Sequence, residues 1–521
     1  QVIASFDVLD EFNNVAASSE TATFNLTAKT FASEADATVY NAGQIGVSMG
    51  QMGKVCDFEL ETDGLGMSDT DVNDYDDVEV HGFYKEYVLE KKVMSYAEFI
   101  DASKTEREAT TWTVATAEAH GFKALTAGMD LKPGDKVYYN NRGKNLYLLK
   151  IGTADVAKDG IRILASHIDS PRIDLKQVPL YEAEGIAFAK THYYGGIRKY
   201  QWVATPLALH GVVITKDGKT IDVCIGEDDS DPVFYISDLL PHLSADQNKL
   251  PLADGIKGEQ LNVILGNIPE EDDKSVKNAV MTLIYDKYGV VEEDFFSSEL
   301  CVVPAAKARD IGFDRSMIGS YGHDDRVCAY PSLTALIESP DCKHTVMCIL
   351  ADKEEIGSDG ASGMQCDLML DIIDAIAGSF GVSSALVRAN SKCLSADVCP
   401  GYDPNFAEVF EKRNSAFVGC GAVFTKYTGA RGKSSTNDAN PEFIAWLRAA
   451  MAENGVIWQA GELGKVDVGG GGTVAKFIAK HNIETIDLGV AIIAMHAPYE
   501  LVAKVDVYET HKAIKAFYNF D

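Results

Sequence analysis

Four strand-length apolar runs in this 521-residue sequence each end in a side chain that can bind a metal ion. Short runs rich in β-branched residues, set between amphipathic stretches, are typical of buried strands that alternate with helices. The sequence therefore predicts an α/β fold, in which helices cover the faces of a sheet. The four runs are residues 161–166 before His167 and Asp169, residues 345–351 before Glu354 and Glu355, residues 394–396 before Asp397, and residues 489–495 before His496.

The remaining patterns divide the chain into three parts. Residues 173–320 have short strand patterns separated by Gly and Asp turns, and we expect them to form an inserted second domain. Residues 1–83 have no regular pattern and are expected to be an N-terminal extension of unknown role. Further strands are predicted at 137–151, 212–214, 263–264 and 385–395, and amphipathic helices at 95–122, 367–376, 441–454 and 506–520.

Charge and cysteine usage exclude several classes of partner. The 78 acidic residues outnumber the 47 basic residues and give a net charge of −31, which disfavours nucleic acid and anionic membranes as partners. No apolar run reaches 18 residues, so no membrane-spanning helix is expected. The ten cysteines form no Cys-x-x-Cys pair, which predicts reduced thiols in the cytoplasm or another reducing compartment. Organelle targeting stays open, because the sequence begins at Gln1 rather than Met.

The side chains that follow the four runs predict a metal site at one edge of the sheet. Ligand sites in α/β sheets collect at the carboxyl ends of the strands. Asp324, after the Gly-rich turn 319–322, adds another carboxylate. Imidazole and carboxylate donors without a thiolate suit zinc, with manganese or cobalt as alternatives. Two histidines and three carboxylates can hold two such ions about 3.5 to 4 Å apart.

Neighbouring positions in these segments suit different tasks. Glu354 and Glu355 are adjacent, so in an extended backbone they point to opposite sides. One of them can then bind metal while the other acts on water. His167 and Asp169 are two residues apart and face the same way, which lets Asp169 support the imidazole.

Five motifs carry a resemblance to a known family. They are Ser166-His-Ile-Asp-Ser-Pro-Arg-Ile-Asp-Leu-Lys176, Gly322-His-Asp-Asp-Arg-Val-Cys328, Asp352-Lys-Glu-Glu-Ile-Gly-Ser358, Ser395-Ala-Asp397 and Met495-His-Ala-Pro498. These motifs occur in the order found in the M18 family of metallo-aminopeptidases, which residues 84–521 resemble. This family comprises the aspartyl aminopeptidases and their bacterial and vacuolar relatives. The resemblance implies a split zinc-peptidase catalytic domain at 84–172 and 321–521, with a mixed sheet flanked by helices. It implies an inserted, strand-rich dimerisation domain at 173–320 and assembly of dimers into a tetrahedral homododecamer.

The resemblance also implies a role for each site residue. Each subunit would hold two divalent ions, most commonly zinc, with Asp324 as a ligand of both. These ions would activate the water that attacks the first peptide bond of the substrate. Asp169 would support the catalytic centre, and His242 would reach the centre of the partner subunit. Lys426 lies in the region that matches the specificity region of the family, where it could receive an acidic first side chain of the substrate by charge pairing. The implied ligands are His167 and Asp397 for one ion and Glu355 and His496 for the other, with Glu354 as the general base.

Two questions stay open at this stage. The segment after Asp397, residues 398–405, departs from the pattern of aspartyl-specific members, so a neutral or basic first residue is an alternative to an acidic one. Gly46-Val-Ser48-Met-Gly50 fits the pattern of a serine-hydrolase nucleophile, with Ser48 attacking, although no convincing strand precedes it. A chelator separates the two chemistries, because it abolishes only a metal-dependent activity.

Overall fold

The computed structural model describes residues 96–126, 128–272, 274–339 and 342–521, together with the backbone of four short strands closer to the N-terminus. Those strands pair as Phe6–Leu9 with Val15–Ser19 and as Asn25–Leu26 with Leu60–Glu61. Ser48, the alternative nucleophile, lies outside the described residues. The prediction that residues 1–83 form an N-terminal extension stays a prediction.

A nine-stranded mixed sheet forms the centre of the protein. Its four central strands, from Glu484–Gly489 to Thr345–Ala351, run parallel. Every residue of Ile161–His167 is buried, as expected for a parallel strand with both faces covered. In order across the sheet, the strands are Trp458–Ala460, Ala422–Thr425, Glu484–Gly489, Lys392–Ala396, Ile161–His167, Thr345–Ala351, Asn145–Lys150, Lys136–Asn141 and Lys123–Ala124.

Helices cover both faces of this sheet, because successive strand residues point to opposite sides. Leu164 packs in a core with helices that include His323–Glu338 and Lys504–Asn519, whereas Ile163 packs on the other face with Leu368–Ser379. The described α-helices are Tyr96–Asp101, Glu106–Ala119, Val156–Asp159, Leu252–Gly255, Val276–Tyr288, His323–Glu338, Leu368–Ser379, Ser384–Asn390, Pro441–Glu453, Ala475–Ala479 and Lys504–Asn519. Short 3₁₀ helices are Lys199–Gln201, Pro241–Leu243, Gln247–Lys249, Gly258–Gln260, Glu292–Ser297, Glu354–Ile356, Pro404–Val409 and Lys412–Asn414.

A second, antiparallel sheet of seven strands has its own core around Trp202 and Val302. Across this sheet the strands are Thr220–Ile225, Leu207–Ile214, Ser298–Pro304, Arg172–Ala183, Ile186–Tyr194, Val263–Gly266 and Tyr235–Ile236. A third, five-stranded sheet consists of Arg309–Ile311, Met317–Ser320, Glu500–Ala503, Ala491–Ile493 and Cys399–Pro400. Gly429–Ala430 pairs with Gly470–Gly471 in a separate small ribbon.

The predicted α/β class with a helix-flanked mixed sheet is confirmed, and several element boundaries are corrected. The predicted strand 385–395 is wrong over its first half, because Ser384–Asn390 is a helix and the strand is Lys392–Ala396. The predicted helix 95–122 is two helices, since the chain turns before the N-cap Thr105. The middle segment contains a 13-residue helix, Val276–Tyr288, that its turn-rich pattern did not indicate.

The division into a split catalytic domain and an insertion at 173–320 stays a prediction. Two strands near the end of that range, Arg309–Ile311 and Met317–Ser320, pair within the five-stranded sheet rather than within the seven-stranded one. The nine cysteines within the described residues are free. In the same part of the chain, no single helix has the length and apolar composition needed to cross a membrane. The helices Leu368–Ser379 and Ser384–Asn390 together have that length and composition, but the angle between them at the break is 111°.

Candidate active site

Three parallel strands deliver acidic and imidazole side chains to one edge of the nine-stranded sheet. His167 is the last residue of Ile161–His167 and pairs in register with Ala351, so the segment that carries Glu354 and Glu355 continues beyond the same edge. Asp397 follows the neighbouring strand Lys392–Ala396, and its backbone N–H donates to Leu488 O at 3.1 Å. Three of the four predicted runs therefore end at a common edge of this sheet. The fourth prediction, a strand at 489–495, is wrong, because the chain leaves this sheet after Glu484–Gly489 and forms Ala491–Ile493 in the five-stranded sheet.

The neighbouring strand holds Asp397 at close range. Gly489 lies beside it, and a Cβ atom at position 489 would stand 1.7 Å from the carbonyl oxygen of Asp397. Only a glycine allows this approach without displacing the carboxylate-bearing segment.

Two further site residues come from outside that sheet. Asp324 lies in the first turn of His323–Glu338, where its peptide bond to Asp325 is cis. His496 lies between the strands Ala491–Ile493 and Glu500–Ala503 of the five-stranded sheet. These potential ligands thus come from two sheets and one helix.

The Asp324 carboxylate lies between the two imidazoles. Its Oδ1 is 3.2 Å from His167 Nε2, and its Oδ2 is 3.2 Å from His496 Nε2. On one side, Asp397 Oδ1 is 3.8 Å from His167 Nε2; on the other, Glu355 Oε2 is 3.6 Å from His496 Nε2. Each oxygen of Asp324 therefore faces its own imidazole–carboxylate pair. We call these five residues and Glu354 the Asp324 cluster.

Ligand atoms in the cluster lie close enough to share metal ions. One atom from each of His167, Asp324 and Glu355 can be chosen within 4.8 Å of the others, and the same is true of His167, Glu354 and Asp397. Glu355 Oε1 is buried and makes no hydrogen bond. Imidazole and carboxylate donors with an unpartnered buried oxygen fit divalent zinc, whose charge would compensate the crowded carboxylates.

Asp169 organises the side of the cluster near His167. The His167 Nδ1 atom lies 2.9 Å from the carbonyl oxygen of Asp169. The Asp169 carboxylate accepts the backbone N–H groups of Glu354 and Glu355 at 3.2 Å each, and the Tyr194 hydroxyl at 2.8 Å. Asp169 therefore contacts one imidazole through its backbone carbonyl and holds the backbone of both glutamates through its buried carboxylate.

Glu500 organises the side near His496, and sequence reasoning missed it. Its carboxylate accepts the backbone N–H of Asp324 at 3.1 Å and that of His496 at 2.6 Å. His496 Nδ1 lies 2.8 Å from the carbonyl oxygen of Gly196. Tyr194 is the last residue of the strand Ile186–Tyr194 in the seven-stranded sheet, and Gly196 follows it by two residues. No local pattern links Tyr194, Gly196 or Glu500 to the motifs.

Burial and mutual repulsion shift the pKa values of these groups. Burial, with the nearby charge of Asp397, raises the pKa of Glu354 to about 8. Burial acts to lower the pKa of His496, but the hydrogen bond to Asp324 and the charges of Glu355 and Asp324 together outweigh it and raise that pKa to about 11. Burial acts to raise the pKa of Asp324, yet contacts with both imidazoles hold it below the usual range. The cluster is thus short of positive charge, the condition that favours cation binding.

The two remaining predicted site residues lie apart from these contacts. His242 is exposed in the 3₁₀ helix Pro241–Leu243. Lys426 follows the strand Ala422–Thr425 and forms an ion pair with Asp438. Within the described residues, no hydrogen bond or ion pair links either side chain to the Asp324 cluster.

Comparison with known proteins identifies relatives over most of the chain. A family model described as "Aminopeptidase I zinc metalloprotease (M18)" matches residues 99–518. The "Probable M18 family aminopeptidase 1" of Clostridium acetobutylicum is 50% identical over 435 residues, which cover 81% of this chain and 93% of the relative.

Solved structures agree with this result. The crystal structure of an M18 family aminopeptidase from Thermotoga maritima is 42% identical, has a TM-score of 0.79, and is matched over 85% of this chain and 96% of its own. The mApe1 dodecamer of S. cerevisiae, at 22% identity and a TM-score of 0.66, covers 81% of this chain and 95% of its own and shares the fold.

We predict that Tyr194→Phe weakens zinc binding about 10- to 100-fold, because it removes one donor to Asp169 and keeps the ring beneath Arg172. Titration of metal-depleted protein with zinc measures the Kd. Tyr193→Phe, which changes an exposed neighbour, is the matched control and should leave the Kd unchanged. Equal Kd values for the two variants would contradict a positioning role for Tyr194.

Proposed function

The chain belongs to the M18 family of zinc metallo-aminopeptidases, and we propose that it removes the first residue of peptides with two metal ions held around Asp324. The proposal rests above all on one observation: the two oxygens of Asp324 each lie 3.2 Å from a different imidazole. A carboxylate with this arrangement suits a shared ligand of two ions.

The proposed ligand sets follow from the contacts on each side of Asp324. His167 and Asp397 would hold one ion together with Oδ1, and Glu355 and His496 would hold the other together with Oδ2. When bound, zinc supplies the Lewis acidity that activates water and polarises the carbonyl of the scissile bond. Manganese or cobalt could replace it with the same donors.

Glu354 is proposed as the general base. Its backbone N–H donates to Asp169, and burial raises its pKa. The charge of bound cations would bring that pKa back toward its ordinary value, so that the carboxylate could accept a proton. Glu354 would take a proton from the attacking water and pass it to the leaving amine. The surrounding carboxylates would attract the protonated α-amine of the substrate, which restricts cleavage to the N-terminus.

We predict that Glu354→Gln lowers kcat by about 10²- to 10⁴-fold while both metal ions stay bound, because the amide keeps its size but cannot take up the proton. Steady-state assays and metal analysis of the same sample test this. Glu355→Gln is the contrasting variant, and it should lose one ion per subunit. Metal loss in Glu354→Gln with only a small fall in rate would mean that the two glutamates have exchanged roles.

We also propose that the seven-stranded sheet and its loops mediate self-association. Leu240 and Leu243, which flank His242 in the sequence, are 50% and 68% exposed, and Leu252 in the helix Leu252–Gly255 is 58% exposed. Exposed large apolar side chains of this kind are typical of an interface when they form one patch. The dodecamer of the S. cerevisiae relative supports a further step, the assembly of dimers into a tetrahedral homododecamer. His242 would then enter the active site of the partner subunit.

We predict that two inactive variants restore each other. In a mixed dimer, the Glu354→Gln protomer lacks the general base in its own active site. The His242→Ala protomer keeps its own base but lacks the histidine that would enter the active site of its partner. Dodecamers of co-expressed chains with two different tags, purified over both tags, should recover about a quarter of wild-type activity, because about half of their randomly formed dimers are mixed and one of the two sites in each mixed dimer is complete. His192→Ala, which changes an exposed histidine of the strand Ile186–Tyr194, is the control and should be active alone. Full activity of His242→Ala alone would contradict the shared site.

For the substrate's first residue, we propose a preference for neutral over acidic side chains. Lys426 is already paired with Asp438, which also binds Lys433 at 2.9 Å. One carboxylate thus partly neutralises both ammonium groups that an acidic substrate would need. The departure at residues 398–405 from the aspartyl-specific pattern supports the same choice.

We predict that wild-type protein cleaves Leu-nitroanilide faster than Glu-nitroanilide. Asp438→Asn should raise the ratio of kcat/KM for Glu over Leu about fivefold, the effect expected when an exposed lysine loses its partner. Asp371→Asn, on the exposed face of Leu368–Ser379, is the matched control. A wild-type preference for the Glu substrate would overturn the proposal.

A further inference from the structure

A cluster of potential metal ligands lies outside the Asp324 cluster, where the helix Glu106–Ala119 meets the seven-stranded sheet. It contains Glu108 from the helix, His210 from Leu207–Ile214, and Cys224 from Thr220–Ile225. One ligand atom from each residue lies within 4.8 Å of the other two. We call this group the Cys224 cluster.

The sheet register brings His210 and Cys224 together. They are directly opposite each other on neighbouring antiparallel strands, so their side chains lie on the same face. His210 is 2% exposed, whereas Cys224 is exposed. The imidazole is thus fixed within the protein, and the thiol can reach an ion that arrives from solvent.

Glu108 is held in place by the helix that carries it. Its Oε2 accepts the backbone N–H of Thr105 at 2.9 Å in a capping box at the start of the helix. The other oxygen, Oε1, lies 2.7 Å from His210 Nδ1. One oxygen of Glu108 therefore anchors the side chain, and the other faces the cluster.

A second carboxylate orients the far side of the imidazole. Glu227 Oε1 lies 3.0 Å from His210 Nε2, and the buried Lys104 ammonium holds Glu227 in turn at 2.5 Å. A histidine with a carboxylate on one nitrogen and potential ligands at the other resembles the carboxylate–histidine–metal arrangement of zinc sites. Such a support fixes the ring orientation and raises the basicity of the ligating nitrogen.

We propose that Glu108, His210 and Cys224 bind one zinc ion that has no part in catalysis. Carboxylate, imidazole and thiolate are all established zinc donors, and a water molecule would complete a tetrahedral set. The ion would join the helix Glu106–Ala119 to two strands of the seven-stranded sheet. Binding would release the thiol proton of Cys224, so affinity would fall in acid.

Cobalt substitution separates this site from the Asp324 cluster, which has no cysteine. Full-length protein is freed of metal, loaded with Co²⁺ and examined for the near-ultraviolet charge-transfer absorption that a thiolate ligand gives. We expect this band in wild-type protein and in Cys420→Ser, which removes another exposed cysteine. Cys224→Ser should lose the band and bind one equivalent less metal, with its aminopeptidase activity retained.

Metal analysis of zinc-loaded wild-type protein provides a second measurement that needs no variant. We expect one zinc ion per subunit beyond those held by the Asp324 cluster. Absence of the cobalt–thiolate band in wild-type protein, or its persistence in Cys224→Ser, would overturn the proposal and leave His210 as an imidazole bonded to two carboxylates. Neither result affects the assignment of the Asp324 cluster, because the band reports only on a thiolate.

Discussion

The crowding of buried carboxylates around two imidazoles is the interaction on which the rest of this structure depends. Asp324, Asp397 and Glu355 lie in an environment with little water, where like charges repel strongly and each charge needs a counter-charge. The carboxylates of Asp169 and Glu500 accept backbone N–H groups of the cluster residues and so hold the cluster in place. Divalent cations would supply the remaining positive charge and convert a repulsive arrangement into a catalytic one.

Three sheets converge on this point, and a buried ion network fixes one of their junctions. Glu106, in the first turn of its helix, lies 3.1 Å from Arg172 and 3.2 Å from Lys144. Burial alone would raise the pKa of Glu106, but these two cations lower it to about 2. Arg172 also lies over the ring of Tyr194, the residue that donates to Asp169. Packing between the sheets is thereby connected to the geometry of the active site.

The sequence predicted what depends on local pattern and neighbouring strands. Buried runs that end in His167, Glu355 and Asp397 had to meet, because parallel strands share their carboxyl edge. Glu500, Tyr194 and Gly196 could not be predicted, since they reach the site from other sheets through tertiary packing. The helix Ser384–Asn390 was misassigned for a related reason. Its short apolar pattern fits helix and strand equally, and only packing against the sheet decides. The preferred first residue of the substrate was open as well, because the sequence alone does not show that Lys426 is paired with Asp438.

Anomalous diffraction from crystals of the zinc-loaded protein tests the central claim most directly. Data collected on both sides of the zinc absorption edge locate each ion without reference to activity. The account predicts two peaks about 3.5 to 4 Å apart, one on each side of Asp324, with His167 and His496 on different ions. A single peak there, or zinc bound away from Asp324 in fully loaded protein, would contradict it.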